Sequence, residues 1–291
     1  MAGRFGFPHW LDCRMATGFL HPGAMGASLA AVCLGRRLWC SEGRSEDTRA
    51  RATAAGMEEV AALAELVDAV DVIISVCPPS AAVAVAASVA AAGFDGIYVD
   101  VNAVAPATAR AIGERFERFV DGSIIGPPVH AAGSTRLYLS GGWVAEVAGL
   151  WAASALETRT MDGESGAASA VKVCYAAWTK GTAALLLARR ALAREEGVED
   201  TLLREWATSL PGLAEQSERA ATANAAKAWR FAAELDEIAD SFAAHDLPDG
   251  FGRSAARVYE RLAPFRGAGD ASLDAVLDAL RHPGRRGDGR A

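Results

Sequence analysis

Apolar residues along the first half of the chain come in short runs, cut by glycine, proline and charged turns. TGFL (17–20), RRLWC (36–40), DVIISVCPP (71–79), GIYVDVNAV (96–104) and RFVDGSIIGPP (118–128) each hold a run of strand length. Between them lie AMGASLAAVCLG (24–35), TRARATAAGM (48–57), SAAVAVAASVAAAG (80–93) and APATARAIGERF (105–116), with small and apolar residues at helical spacing. Gly56 and Gly93 close two of these helices. Strand runs alternating with helices predict a parallel sheet built from βαβ units, and wholly apolar runs such as VIISV fit a sheet covered on both faces. RLYLSG (136–141) and TRTMDG (158–163) extend that sheet.

The pattern changes near residue 164. SGAASAVKVCYAAWTKGTAALLLARRALAREEG (165–197) has no turn signal and reads as one long helix. Further helical stretches follow at 199–210, 213–227, 229–245 and 250–265, with no clear strand among them. The expected architecture is therefore α/β then all-α: a Rossmann-type dinucleotide-binding domain over 15–163, then an all-helical domain over 164–281. Residues 1–14 are expected to be a disordered extension and 282–291 a polar, glycine-rich disordered tail.

Composition narrows the classes. The 291 residues are 51% hydrophobic, but alanine dominates and no run is apolar enough to span a membrane. A net charge of −7 argues against non-specific nucleic-acid binding. Five cysteines stand singly, with no paired spacing, so neither a metal site nor a disulfide framework is expected. No signal-like segment opens the chain, and the expectation is a cytoplasmic protein.

The stretch GFLHPGAMG (18–26) ends the first strand and opens a helix. A dinucleotide-binding turn uses three glycines, for the tight turn, for close approach of the pyrophosphate and for helix–strand packing. Gly23 and Gly26 take the second and third places, while His21 stands at the first and Pro22 follows it. His21 is read as shaping the loop or touching the pyrophosphate. A glycine-rich turn without a ligand is the bland alternative. After the second strand comes SEGRSEDTR (41–49), where such a fold reads the ribose. Glu42 would hold the ribose hydroxyls of NAD, whereas Arg44, Ser45 and Arg49 offer two cations and a hydroxyl to a 2′-phosphate. NADP is favoured over NAD on that count, and a solvated charged loop is the alternative.

These elements together resemble the β-hydroxyacid dehydrogenase and 6-phosphogluconate dehydrogenase superfamily, in the branch with a C-terminal helical domain of unknown function. GFLHPGAMGASLA stands at its cofactor loop, DVIISVCPP at the strand under the nicotinamide ribose, VDVNAVAPATARAI at its D-x-S-T-x-x-P-x-T element, FVDGSIIGPPV at its substrate loop and GAASAVKVCYAA at its lysine-bearing helix. The resemblance implies cofactor contacts from His21, Pro22, Gly23, Ala24, Met25, Gly26, Cys77, Pro78 and Asn102. It implies substrate contacts from Asp121, Ser123, Ile125 and Gly126, and Lys172 as the general acid/base; His130, just after that loop, is read as a pocket-lining candidate. It also implies a homodimer formed through the helical domain. Three departures stand out. Asn102 and Ile125 replace serines, and Tyr175 and Ala176 replace the asparagine pair that follows the lysine. They argue against a simple short 3-hydroxy acid as substrate.

An ammonium can carry a proton on and off an alcohol oxygen and stabilise negative charge on a carbonyl oxygen. Lys172 is flanked by apolar residues and preceded by a small-residue helix start. Tyr175, on the same helix face, offers a phenolic hydrogen bond or simple packing, and Asn102 offers amide donors and an acceptor at a strand end. Lys180, further along the helix, reads as a surface or end-of-site charge, and Glu234 with Glu237 as a solvated stripe or a site-facing pair. The leading reading is an NADP-dependent oxidoreductase acting on a small to medium hydroxy or carbonyl compound. An imine reductase and a non-catalytic nucleotide-binding protein are its rivals.

Overall fold

The computed structural model describes residues 15–268 and 271–281. The expectations for 1–14 and 282–291 lie outside the described residues. β1 (Ala16–Phe19), α1 (Ala24–Ala31), β2 (Arg36–Cys40), α2 (Glu46–Ala54), β3 (Glu58–Val60), α3 (Leu63–Ala69), β4 (Val72–Ser75), α4 (Ala82–Ala91), β5 (Ile97–Asp100), α5 (Pro106–Gly113) and β6 (Phe119–Ile125) follow one another along the chain. β7 (Arg136–Gly141), α6 (Val144–Gly149) and β8 (Glu157–Thr160) complete an eight-stranded sheet in the order β3-β2-β1-β4-β5-β6-β7-β8.

Alternation along the strands explains why the sheet is covered on both sides. Trp39, Val72, Ile74, Ile97 and Val99 join one core cluster, while Leu38, Cys40, Ile73 and Tyr98 join another. Neighbours in sequence thus feed opposite faces, as a period of two requires. Pairing is parallel from β3 through β6. β7 departs from the parallel expectation and runs antiparallel to β6. The connection from Gly126 to Thr135 holds no helix, and a parallel return needs a crossover of a dozen or more residues. After α6 supplies a crossover, β8 is again parallel, to β7.

Two elements are not visible as apolar patterns. β3 has the sequence EEV, an edge strand whose glutamates pair with arginines: Glu58 with Arg36 and Glu59 with Arg49. Charged side chains are a common guard on a sheet edge, and they hide a strand from a hydrophobic scan. α6 is short and follows the GGW turn.

The helical part comprises α7 (Ala167–Glu195), α8 (Glu199–Ser209), α9 (Leu213–Asn224), α10 (Ala228–Ala243), α11 (Gly250–Arg261) and α12 (Leu273–Arg281). The chain divides into two compact units between Lys172 and Val173, inside α7. The second unit has its own core, with Leu187, Leu235, Tyr259, Leu262, Val276 and Leu277 all buried. Arg190 is buried in it, donating from Nε and Nη2 to Glu199 (3.1 and 2.6 Å) and from Nη1 to Ser217 Oγ (2.9 Å). Lys180 and Glu234 form a largely buried ion pair with each other, and the ammonium sits 5.0 Å from the centre of the Phe231 ring. Lys180 is thus no free surface charge, and Glu234 no solvated stripe; each neutralises the other inside the helical unit. Among the described residues no helix is long and apolar enough to cross a membrane.

Candidate functional site

The site is built at the carboxyl ends of β1, β4 and β5, beside the point where the strand order reverses between β1 and β4. Open α/β sheets place ligands in that crevice, because the connections diverge to opposite faces there. β1 runs out through Leu20 into the turn His21–Gly23, whose backbone folds back with Gly23 N donating to His21 O at 2.7 Å. Ala27 N then donates to Gly23 O at 2.9 Å, the first bond of α1. No side chain caps this helix, and Gly23 opens onto empty space. A Cβ on Gly26 would sit 2.7 Å from His21 O and 3.7 Å from Val76 Cβ. Gly23 is therefore open to approach, and Gly26 lets the helix start close against the turn's own His21 carbonyl. Pro22 and Gly26 are buried, Met25 half-buried and Ala24 exposed.

His21 Nδ1 and Arg44 Nε are both buried and lack a hydrogen-bond partner. Burial, and then the Arg44 charge, lower the His21 pKa to about 4, so the ring is neutral at pH 7. Ser45 is exposed at the start of α2, its hydroxyl 3.2 Å from Thr48 Oγ1. Arg49 is engaged elsewhere, paired with Glu59 and lying 3.7 Å from Glu46. The arginine that reaches the turn is Arg51, whose Nε donates to Pro22 O at 3.3 Å. It lies one helical step beyond the segment that sequence reading singled out. Its signal, an i,i+3 bond from its Nη2 to Thr48 at 3.0 Å, is visible only once α2 is known to be a helix.

Asn102 is almost wholly buried and fully used. Its Nδ2 donates to Ser75 Oγ (3.1 Å) and Asp100 Oδ2 (2.9 Å), and its Oδ1 accepts from Cys77 N (2.6 Å). With both amide hydrogens spent inside the protein, Asn102 locks the loop after β4 onto the end of β5. Cys77 is half-buried, and burial pushes its thiol up to about 11; Pro78 beside it is exposed. Asp100, at the centre of this network, is raised to about 6, first by burial and also by the charge of Asp121.

Asp121 is fully buried and caps α7. Its Oδ2 accepts from Gly166 N (3.0 Å), Ser169 N (2.9 Å) and Ser140 Oγ (3.0 Å), and its Oδ1 accepts from Ser169 Oγ (2.6 Å). Ser140 Oγ in turn accepts from Ala168 N at 3.0 Å. A carboxylate at a helix N-terminus satisfies orphan N–H groups and meets the positive end of the dipole. Asp121 therefore faces the helix, where a substrate contact was expected. Pairing registers align Ser75, Asp100, Asp121 and Ser140 across four adjacent strands, a buried polar row that the sequence conceals.

That cap fixes the start of α7, and Lys172 follows one and a half turns later. Its Nζ donates to Ile124 O at 2.6 Å, on the strand that also carries Asp121. Ser123, next along that strand, is buried with its hydroxyl unpartnered, and Ile125 is buried. Gly126 has φ +129°, and a Cβ there would meet Ser134 O at 2.3 Å, so the loop turns at a residue only glycine suits. Val129 N donates to Ser28 Oγ at 3.1 Å, tethering this loop to α1. His130 is exposed, its Nδ1 3.1 Å from Pro128 O, and Tyr175 is exposed on α7. The structure thus gathers His21, Gly23, Gly26, Arg44, Cys77 and Asn102 at the strand ends and sets the Lys172 ammonium, from α7, against β6. It leaves Arg49 and His130 outside.

Residues 193–262 match DUF1932, a domain of unknown function. No curated protein matches the sequence significantly. Among solved structures, the conserved protein MTH1747, of unknown function and described as structurally similar to 3-hydroxyacid dehydrogenases, is 27% identical. It superposes with a TM-score of 0.68 over 88% of this chain and 100% of its own. The Mycobacterium tuberculosis 3-hydroxyisobutyrate dehydrogenase, solved with L-serine, is 19% identical with a TM-score of 0.69, over 92% and 100% of the two chains. A reductive aminase from Aspergillus terreus, solved with NADPH4, cyclohexanone and allyl amine, is 20% identical with a TM-score of 0.54, over 92% and 100%. The resemblance read from the sequence is borne out: the chain has the hydroxyacid dehydrogenase-like fold, and its helical half carries a DUF1932 segment.

Proposed function

We propose that the protein is an NADP-dependent oxidoreductase acting on a hydroxy or carbonyl compound of small to medium size, with Lys172 as general acid/base. The observation that carries this reading is Lys172 itself: a half-buried ammonium held by a strand carbonyl at 2.6 Å, on a helix start pinned by a buried carboxylate. The glycine turn fits a dinucleotide. Its helix is uncapped, Gly23 is open, and two unpartnered nitrogens stand beside it.

In this reading, Gly23, Ala24, Met25 and Gly26 hold the pyrophosphate by backbone donors, with His21 and Pro22 shaping the turn. Arg44 and Ser45 take the 2′-phosphate, and Cys77 and Pro78 border the nicotinamide side, kept in place by Asn102. A bound nicotinamide supplies or accepts the hydride. Lys172 gives a proton to the carbonyl oxygen as it becomes an alcohol, and takes it back in the reverse direction. Ser123 and Ile125 flank the carbonyl that holds Lys172.

The test is calorimetry with NADPH and NADH, followed by turnover on a panel of hydroxy acids, aldehydes, ketones and imines. NADPH binding tighter than NADH and reduction of carbonyls are expected. Binding of neither nucleotide would end the reading. Reduction of imines alone would transfer the protein to the second reading, imine reduction, which the likeness to the reductive aminase supports.

The proposal includes a homodimer. Trp178, Leu185 and Leu192 stand seven residues apart along α7 and are 73%, 46% and 62% exposed. A seven-residue apolar stripe is the pattern of a helix that packs on another. Light scattering is expected to give a dimer at micromolar concentration, and Trp178→Asp to shift it toward monomer. A wild-type monomer would refute the assembly.

A further inference from the structure

A cleft in the second unit has no part in the oxidoreductase reading. It lies between α7, α11 and α12 and encloses about 410 Å³, a volume within the span of small-molecule sites. Its floor is apolar, made by Ala191 and Leu192 from α7, Val258 from α11 and Leu280 from α12. The space exists because α7 presents alanine at 188 and 191, where longer apolar side chains would close against α11. Every lining residue belongs to the second unit, so the cleft is formed within one compact body.

The rim carries the opposite chemistry. Arg257 and Arg261 of α11 and Arg281 of α12 set three guanidiniums on one cleft, in a chain of net charge −7. Arg281 is already neutralised, its Nε donating to Glu195 at 2.6 Å and its Nη1 to Asp278 at 3.3 Å. Glu195, the acid among the lining residues, is engaged by that pair. Arg261 is anchored by one bond, from Nη1 to Leu280 O at 2.6 Å, which fixes its position and leaves most of its donors. Arg257 is exposed and makes no hydrogen bond or ion pair among the described residues. The two arginines stand four residues apart on α11, one helical turn, so both guanidiniums can meet on one group. Two uncompensated cations over an apolar floor favour an anion with an apolar body of its own. A bare inorganic anion would leave the floor in water, and a neutral apolar molecule would gain nothing from the cations.

We propose that this cleft binds an organic anion, its carboxylate or phosphate head held by Arg257 and Arg261 and its apolar body laid on the alanine–leucine floor. The planar fork of a guanidinium meets either head with paired bonds. No covalent bond forms or breaks, and the site is independent of the nucleotide turn.

Isothermal calorimetry on the full chain tests this, with decanoate, decyl phosphate and decanol as probes below their aggregation concentrations. At least one of the two anions is expected to saturate near one site per chain, and the tighter one names the head. Decanol should bind about tenfold more weakly or worse, having no charge-assisted pair to form. Arg257→Glu is expected to weaken the anion by about tenfold or more. Saturating NADPH should leave the affinity within about twofold, as for two uncoupled sites. Trp178→Asp keeps every lining residue and should bind as wild type does, which separates the cleft from the apolar stripe that Leu192 shares. No saturable binding of either anion overturns the proposal. So does decanol binding as tightly as the anion, equal affinity in wild type and Arg257→Glu, displacement by NADPH, or loss of binding in Trp178→Asp. Should Arg257→Glu not fold, Arg257→Gln takes its place, with a loss of about threefold or more expected and an unchanged affinity refuting the idea.

Discussion

Replacing Lys172 by methionine is expected to lower kcat/KM for carbonyl reduction by about 10²–10⁴-fold, the span typical of losing a general acid. NADPH affinity should stay within about twofold, because the cofactor groups proposed above lie at the ends of β1, β2 and β4. Methionine keeps the length and the apolar stem that the flanking valines accept, and removes the three donors. The Ile124 carbonyl loses one bond but remains on a paired strand. Lys172→Arg separates proton transfer from charge. Arginine keeps the cation and can still reach a carbonyl, yet it does not give up its proton near neutral pH. If Lys172 works by moving a proton, arginine is nearly as inactive as methionine; if it works as a fixed charge, arginine recovers most of the rate. Steady-state kinetics at saturating NADPH check both variants. Methionine-variant turnover within tenfold of wild type would remove Lys172 from the chemistry.

The elements that were legible in the sequence are those whose burial is one-sided or complete. RRLWC forms β2 and RLYLSG forms β7, with Leu38, Trp39, Leu137 and Leu139 all buried against the covered sheet. The glycine turn was readable because its two glycines answer to separate steric demands, open approach and close packing. Three features were not. EEV reads as surface, and becomes a strand only through pairing with β2 and arginine partners from elsewhere in the chain. Arg49 and Arg51 look equivalent in TRAR; which one meets the turn depends on where Glu59 draws the other. Asp121 is the clearest case. A lone acid in a strand near a proposed substrate loop invites a ligand, and nothing local says that a helix start 45 residues later donates three of the four hydrogen bonds it accepts.

That assignment carries the second large effect: Asp121→Ala is expected to cost about 3 kcal/mol of stability, measured by urea unfolding. Alanine strands the N–H groups of Gly166 and Ser169 and the hydroxyls of Ser140 and Ser169 in a fully buried place. Asp121→Asn should cost less. Its carbonyl oxygen still accepts, and the Ser169 hydroxyl can turn to accept from the new amide, although the charge facing the helix dipole is lost. The buried row adds a signature in pH. Asp100 binds its proton more tightly folded, at about 6, than its ordinary 3.8. Between those values the native state holds more protons than the unfolded chain, so this group favours folding as pH falls and opposes it as pH rises through 6. Burial is the larger cause and persists in the variants, but the Asp121 charge is also among the causes. Both variants should therefore show a smaller Asp100 contribution to that slope. If Asp121→Ala unfolds within about 1 kcal/mol of wild type, the cap is not what starts α7. The placement of Lys172 would then need another cause.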